Sequence, residues 1–188
     1  MNDNFKKQIS EITDLTEIAG IISLSTELRE SISEYIQNPY NPVFSTKEKK
    51  VSVNFRKKGD TIYILGDYTG KEEDNSSTLE VVLDAIDNDL LSSANTVGKG
   101  GLFVSLIESC SVKMLGFDIT SDSEINEKDF LFSDNNHSVL VSVSSDREGK
   151  FVDFIYNNGV EITLLGHVTK GELRMDDISF GYISDFIS

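Results

Sequence analysis

The sequence predicts a domain that mixes helices and strands, of class α/β or α+β. In some segments apolar residues recur at spacings of three and four, as amphipathic helices require. In others they alternate with polar residues, as in half-buried strands. The two kinds of segment interleave from residue 51 onward, which indicates a sheet packed against helices.

Composition limits the class of function. The 188 residues include 32 acidic and 17 basic ones, for a net charge of -15. Because nucleic-acid backbones and anionic membranes repel such a chain, we expect neither as a partner. Residues 1–37 lack a signal-peptide pattern, and no apolar stretch reaches the ~18 residues of a membrane helix, so we expect a cytoplasmic protein. One cysteine, Cys110, and two histidines, His137 and His167, cannot form a typical zinc site, and we predict no metal ligand.

The first segment, residues 3–38, has the spacing of amphipathic helices. We predict two helices, with a short strand through Ile18, Ile21 and Ile22 as the alternative, because these residues are β-branched. Pro39 and Pro42 restrict their predecessors to extended geometry, so we place a boundary near residue 40.

From residue 51 the spacing of apolar residues changes from the helical pattern to alternation with polar residues. Residues 51–55 alternate in polarity and predict a strand, and residues 61–66 predict a second strand after a turn at Gly59. We predict a polar loop over residues 67–78 that ends in a Ser or Thr helix cap. The helical face that follows consists of Leu79, Val82, Leu83, Ile86 and Leu90.

Further elements follow in alternation. A helix after residue 101 carries Phe103, Leu106, Ile107 and Cys110 at helical spacing, so Cys110 is predicted to lie in the core. Strands are predicted at residues 115–120, 138–143, 161–167 and 173–176, and helices at Glu127–Phe132 and Glu148–Asn157. Gly159 is placed to end the last helix.

The most suggestive site motif is Gly98, Lys99, Gly100 and Gly101, which open a helix. Free backbone amides at such a helix start can hold a phosphate. The motif lacks the spacing of a P-loop and follows a segment that we predict to be helical. A tight helix–helix connection is therefore the favoured alternative.

Other polar residues give weaker indications. His167 stands at a strand end, where a titrating group could act, but no nucleophile motif accompanies it and a structural role is favoured. The pairs Glu72-Glu73 and Asp176-Asp177, and the acidic run at residues 118–127, could bind Mg²⁺, although solvated surface is the favoured interpretation. We predict no catalytic residue from these patterns.

A family resemblance rests on residues 100–110, which read GGLFVSLIESC, followed closely by LGFDI from Leu115. These segments resemble phosphoribosylformylglycinamidine synthase, the amidine-forming enzyme of purine synthesis, in its last C-terminal-type domain. The resemblance continues in residues 139–143, 151–154, 165–172 and 179–185, and upstream in residues 55–66.

The resemblance implies an α+β fold of the aminoimidazole ribonucleotide synthetase type, with a mixed sheet covered by helices. It places this domain at residues 46–188, after a helical extension or remnant of a preceding domain at residues 1–45. In this superfamily ATP and Mg²⁺ bind mainly to an N-terminal-type partner domain, so we expect no cofactor on the chain alone. Either such a domain or self-association is the expected partnership, unless the N-terminal helices cover the apolar face themselves.

The site motif departs from the family pattern, which usually reads His-Asp-Val-Ser-Glu-Gly-Gly-Leu. Asn95 and Thr96 replace the imidazole and the carboxylate, and Lys99 reverses a charge. Asp134 is kept, whereas Ser138 stands where the family usually has arginine. The resemblance implies that Asn95, Thr96, Asp134 and His167 face the substrate.

These departures lead to a functional hypothesis. Fold-determining positions are kept while substrate-facing groups change, so we expect a non-catalytic binding or assembly module. The alternative is a subunit of a split ATP-dependent synthase that contributes a phosphate-binding helix start. Ribonucleotide sensing by the same helix start is a third hypothesis.

Overall fold

The computed structural model describes residues 3–38, 44–69, 76–134 and 138–187. The helices are α1 Asp3–Ile9, α2 Leu15–Leu24, α3 Thr26–Gln37, α4 Ser76–Asp87, α5 Gly101–Ser111, α6 Glu127–Phe132 and α7 Glu148–Asn157. The strands are β1 Thr61–Leu65, β2 Ser93–Thr96, β3 Gly116–Ile119, β4 Val139–Val143, β5 Ile162–Thr169, β6 Glu172–Met175 and β7 Ile178–Tyr182. A 3₁₀ turn, Ile183–Asp185, follows β7.

The strands form one mixed sheet in the order β2-β4-β1-β5-β3-β6-β7. The β3–β6 pair is parallel and its neighbours pair antiparallel. Leu65 at the end of β1 and Thr96 at the end of β2 both align with Val139 at the start of β4. The chain therefore leaves β1 and β2, and enters β4, at the same sheet edge.

Helices cover both faces of the central strands, which confirms the α+β class. Ile62 and Ile64 of β1 belong to a core that also contains residues of α5 and α6. Tyr63 and Leu65 point to the opposite face, into a second core with residues of α4 and α7. All five residues of β1 are buried, as expected for a strand between two helical layers.

The N-terminal segment forms three helices, so the prediction of two helices and the strand alternative were both wrong. Ile18 and Ile22 lie in α2 and are buried. Asp14 caps α2 by accepting from the Glu17 amide, and Ser25 caps α3 by accepting from the Leu28 amide. Each cap satisfies amide groups that a helix start leaves open, and so fixes a break that apolar spacing does not reveal.

The three N-terminal helices share the core of α5. Phe5, Ile22 and Leu28 are buried in the cluster that contains Phe103. The expectation that these helices cover an apolar face of the sheet agrees with this packing. The boundary predicted near residue 40 lies outside the described residues, and the division into residues 1–45 and 46–188 stays a prediction.

The strand predicted at residues 51–55 is absent from the described structure. The Val51 amide donates to the carbonyl of Phe44, and the Phe55 amide donates to the carbonyl of Ser109 at the end of α5. The sequence of residues 51–55 alternates in polarity, but Phe55 is buried in the fold while its neighbours are not. The Ala94 amide of β2 also donates to the carbonyl of Ser52, so the segment makes single backbone hydrogen bonds to a turn, a helix end and β2 rather than a strand ladder.

The strand β2, in contrast, was not predicted. Its sequence, SANT, lacks the apolar alternation on which the prediction depends. Its pairing with β4 places Ser93 opposite Ser142, and their hydroxyl oxygens are 2.5 Å apart. The strand therefore depends on its neighbour rather than on its own apolar residues.

Several predictions were confirmed. Both α6 and α7 have the predicted bounds, and Gly159 follows the end of α7 with φ +70°. Every residue of α5 is buried, and Cys110 has no exposed surface. Phe103 on the same helix contacts the rings of Phe117, Phe132, Phe180 and Phe186.

Over the described ranges, no helix is long and apolar enough to cross a membrane.

Candidate functional site

The glycine motif lies at the sheet edge where β1 and β2 end. Residues 97–100 join β2 directly to α5, so the motif follows a strand and not a helix. This corrects the prediction of a helix–helix connection. Ligands of α/β sheets commonly bind at the carboxyl ends of strands, which makes this edge the candidate site.

Packing explains why the loop needs two glycines. Gly100 and Gly101 have φ of +94° and +76°, a region that residues with a side chain rarely adopt. A Cβ atom on Gly101 would lie 2.7 Å from the carbonyl oxygen of Leu131, at the end of α6. One on Gly100 would lie 2.8 Å from Val104. The glycines therefore allow α5 to start in close contact with α6.

A carboxylate of the chain itself lies at this helix start. The Gly100 amide donates to Asp134 Oδ1 at 3.2 Å, and the Gly101 amide donates to the carbonyl of Gly98 at 2.9 Å. Lys6 Nζ on α1 lies 3.8 Å from Asp134 Oδ2. The positive end of a helix dipole favours an anion, and here a carboxylate takes this place.

Lys99 differs from its glycine neighbours in being exposed. Gly98 and Gly100 are buried on either side of it. Its ammonium therefore stands in solvent beside the start of α5. Of the four residues predicted to bind phosphate, Lys99 supplies the one charged side chain.

An acidic cleft of about 360 Å³ lies beside this helix start. Its lining includes Tyr68, Asp122, Glu124, Asp129 and Asp134. The Tyr68 hydroxyl donates to Asp122 Oδ2 at 2.6 Å, and burial, together with this hydrogen bond, raises the pKa of Tyr68 to about 12. No lysine or arginine is among the described residues that line the cleft.

Asn95 faces α5 rather than the cleft. It is fully buried, and its amide nitrogen lies 3.0 Å from Glu108 Oε2 and 3.3 Å from the carbonyl oxygen of Ser105. Burial raises the pKa of Glu108, and the hydrogen bond from Asn95 opposes that shift. The structure therefore places Asn95 in a buried network, and contact with a substrate would require this network to open.

The other predicted substrate-facing residues do not converge. Thr96 is buried at the end of β2, and its carbonyl accepts from the Ser105 hydroxyl. His167 is exposed on β5 and pairs with Thr61, at the amino end of β1. That position is about 13 Å along the strand from the carboxyl end of β1. The structure brings Asp134 to the glycine loop and leaves His167 near the opposite edge.

The carboxylates considered for Mg²⁺ do not converge either. Asp176 accepts from both the amide and the hydroxyl of Ser121, and Asp177 is 97% exposed at its side chain. Within the described part of the chain, no three acidic, histidine or cysteine side chains are placed to hold a metal ion. Glu72, Glu73 and His137 lie outside the described residues.

Comparison with known proteins assigns the family. The family model described as "AIR synthase related protein, C-terminal domain" matches residues 50–177. The chain belongs to this family. The AIR synthase related domain found here thus includes β1 to β6, the glycine loop and Asp134.

Relatives of this AIR synthase related domain are much longer proteins. Phosphoribosylformylglycinamidine synthase subunit PurL of Carboxydothermus hydrogenoformans is 30% identical over 148 residues, which cover 66% of this chain and 20% of the relative. The PurL subunit of Leuconostoc mesenteroides is 33% identical over 146 residues, which cover 66% of this chain and 19% of the relative. The chain thus spans about a fifth of the length of these relatives, and it is related through them to purine biosynthesis.

A solved structure shares the fold. Thermotoga maritima PurL complexed with ADP matches with a TM-score of 0.63 at 13% identity, over 93% of this chain and 35% of that one. At this identity the likeness concerns the fold alone. It extends over the N-terminal helices as well as the sheet, because it covers more of the chain than residues 50–177 do.

Sequence reasoning missed Tyr68 and Glu108 as members of the site and its surroundings, and it considered Asp122 only within the acidic run at residues 118–127. Glu108 carried a usable signal, since it is the one charged residue of the buried helix α5. A charge within an otherwise apolar and small-residue helix indicates a buried partner. Tyr68 and Asp122 are 54 residues apart in the chain, and their contact has no local signature.

Proposed function

We propose that this AIR synthase related domain is a non-catalytic binding or assembly module. The observation that supports this proposal is the burial of Asn95, which stands where the family usually has histidine and donates to Glu108 inside the fold. In addition, the Asp134 carboxylate, which the family keeps, accepts from the Gly100 amide at the start of α5. An anion that entered this position would meet the negative charge of Asp134. Two like charges 4 Å apart repel by about 1 kcal/mol in water and about 4 kcal/mol near a protein surface.

The described residues do not fit a nucleotide on their own. Solved PurL structures of Thermotoga maritima are complexed with ATP, ADP or FGAR. In this chain the acidic cleft beside the glycine loop is lined by four carboxylates, and no lysine or arginine is among the described residues that line it. Since phosphate binding requires cations or free amides, ATP and Mg²⁺ would need groups from a partner domain.

Calorimetric titration of the purified chain tests the proposal. FGAR, ATP and Mg²⁺ are added singly and then together at moderate salt. After the heat of Mg²⁺ binding to ATP is subtracted with a protein-free titration, we expect no saturable heat from FGAR or ATP in any combination, because Asp134 occupies the helix start. Micromolar binding of FGAR or ATP would overturn the proposal.

A second candidate function is that of a subunit in a split ATP-dependent synthase. Two observations favour it: the glycine loop follows a strand at the sheet edge, and the Lys99 ammonium is exposed beside the start of α5. In this case activity appears only after the chain is mixed with an N-terminal-type domain, and Lys99→Glu reduces it. If no mixing ratio gives activity, this candidate fails.

A further inference from the structure

In the described part of the chain, the core that contains residues of α4 and α7 includes no residue of β3, β6 or β7, so these strands have no helical cover on that face. In β3 and β6, Phe117 and Leu173 point into the core of α5, so Asp118 and Arg174 point to the opposite side. On that side Asp118 and His167 are exposed, and Leu164 and Tyr182 each expose 57% of their surface. We name this surface the open sheet face and define it by Leu164, His167, Asp118, Glu172, Arg174 and Tyr182.

The strand arrangement makes this exposure unusual. Phe117 pairs with Leu173 and Asp118 pairs with Arg174 in the parallel β3–β6 ladder. Antiparallel sheets often leave one face in water, whereas sheets built of parallel strands are normally covered on both faces. The parallel pair at the centre of the open sheet face therefore indicates a surface that a partner covers.

The charges of this face are not balanced. Arg174 lies 4.0 Å from a carboxylate oxygen of Asp118, 4.0 Å from one of Glu172 and 3.6 Å from one of Asp177. These distances exceed hydrogen-bond length, and the buried Arg174 Nε has no hydrogen-bond partner among the described residues. Three carboxylates surround one guanidinium, so the patch keeps a net negative charge.

This imbalance identifies the chemistry of the partner. A second copy of the chain would bring the same negative patch and a further net charge of -15. A surface that presents lysine or arginine between apolar side chains would neutralise the carboxylates and cover Leu164 and Tyr182. We infer that the open sheet face docks such a basic protein surface, an inference that rests on the proposed function as an assembly module.

The probe is an end-capped peptide of alternating lysine and leucine, about nine residues long, which matches the length of a strand. It is titrated into the isotope-labelled full chain at about 0.15 M salt, where long-range attraction is screened. We expect amide shift changes confined to β5, β3, β6 and β7. The double variant Asp118→Asn, Glu172→Gln should weaken binding about tenfold.

The matched control removes the same charge elsewhere. Glu80→Gln, Asp84→Asn neutralises two exposed carboxylates on α4, and peptide affinity should stay within about twofold of the wild type. Equal weakening by both double variants, or shift changes spread over α4 and α7, would overturn the inference. So would concentration-dependent dimers that Asp118→Asn, Glu172→Gln abolishes, because they would make a second copy the occupant.

The peptide titration and the ligand titration test separate proposals, so either one can be contradicted while the other stands. Micromolar FGAR or ATP binding contradicts the non-catalytic function and leaves the peptide result unchanged. Failure of the peptide with flat ligand titrations contradicts the open sheet face as the docking surface and leaves the non-catalytic function intact. Thermal unfolding of both double variants verifies that the sheet is folded.

Discussion

The Asp134 carboxylate accepts a hydrogen bond from the Gly100 amide, 34 residues earlier in the chain, at the start of α5. It thereby connects the end of α6 to the glycine loop. Lys6 on α1 lies within ion-pair distance of the same carboxylate. Three separate segments, α1, the glycine loop and the end of α6, thus meet at the Asp134 carboxylate.

Replacement of this carboxylate should make the helix start accessible to anions. We expect Asp134→Ala to bind pyrophosphate at least about tenfold more tightly than the wild type, with Asp134→Asn intermediate, because the Gly100 amide becomes free and a repulsive charge is lost. Isothermal titration measures both affinities. Asp153→Ala, which removes an exposed carboxylate on α7, is the control and should bind like the wild type. Identical affinities for all variants would show that Asp134 does not block the position.

Two glycines with contrasting surroundings, Gly101 and Gly149, should respond oppositely to alanine. Gly101→Ala should lower the free energy of unfolding by about 2–4 kcal/mol, because Gly101 has φ +76° and its Cβ would meet the Leu131 carbonyl at 2.7 Å. Gly149→Ala on α7 meets no atom within 4 Å and should raise it by about 0.5–1 kcal/mol. Urea unfolding measures both. A neutral Gly101→Ala would contradict the tight approach of α5 to α6.

Asp60 should make stability depend on pH. It is buried before β1, and neither of its carboxylate oxygens has a hydrogen-bond partner in the described part of the chain. Burial raises the pKa of Asp60 above its ordinary value of 3.8, although Lys57 opposes the shift. The folded state therefore prefers the protonated carboxyl. This contribution is complete below pH 3.8 and is lost as the pH rises through the folded-state pKa.

Asp60→Asn removes the ionisable carboxyl, and with it the loss of stability that occurs as the pH rises. Relative to the wild type, its free energy of unfolding should increase as the pH rises from about 4 to 7, as followed by urea unfolding. Asp89→Asn is a control of opposite sign. The hydrogen bond from Lys49, 2.8 Å long, lowers the pKa of Asp89, so this variant should lose relative stability as the pH rises from the folded-state pKa to 3.8, and it should follow the wild type from about pH 5 to 7. Parallel pH profiles for Asp60→Asn and the wild type would refute the assignment.

The buried pair Asn95 and Glu108 should be energetically coupled. Asn95→Leu leaves Glu108 Oε2 without its amide donor and should cost about 1–3 kcal/mol. Glu108→Leu removes an acceptor from the buried amide in turn. The double variant should cost less than the two single changes together, by about 0.5–3 kcal/mol, in a cycle of denaturant unfolding experiments. Additive costs would mean that the two side chains act separately.

Local sequence signals were sufficient where an element depends on its own residues. The bounds of α6 and α7 follow from apolar spacing and capping chemistry within a dozen residues. The strand β2 could not be found in this way, because SANT becomes a strand through its pairing with β4. The error was the reverse for residues 51–55. Their alternating polarity predicted a strand, whereas the structure has one buried phenylalanine there and no strand.

The candidate site was predictable only in part. The glycine motif is contiguous, so the sequence shows it directly. The placement of Asp134 against Gly100, and of Tyr68 against Asp122, depends on how distant segments meet at the sheet edge. Side-chain direction also remained hidden, because a residue of an unpredicted strand, such as Asn95, cannot be assigned to a face.

The thiol of Cys110 can report how often α5 separates from the sheet. It is fully buried near the C-terminal end of α5, and burial raises its pKa well above its ordinary value, so the reactive thiolate is scarce in the folded state. A labelling reagent reaches it only when α5 separates from the sheet. The labelling rate then measures how often the α5 core opens, without any introduced probe.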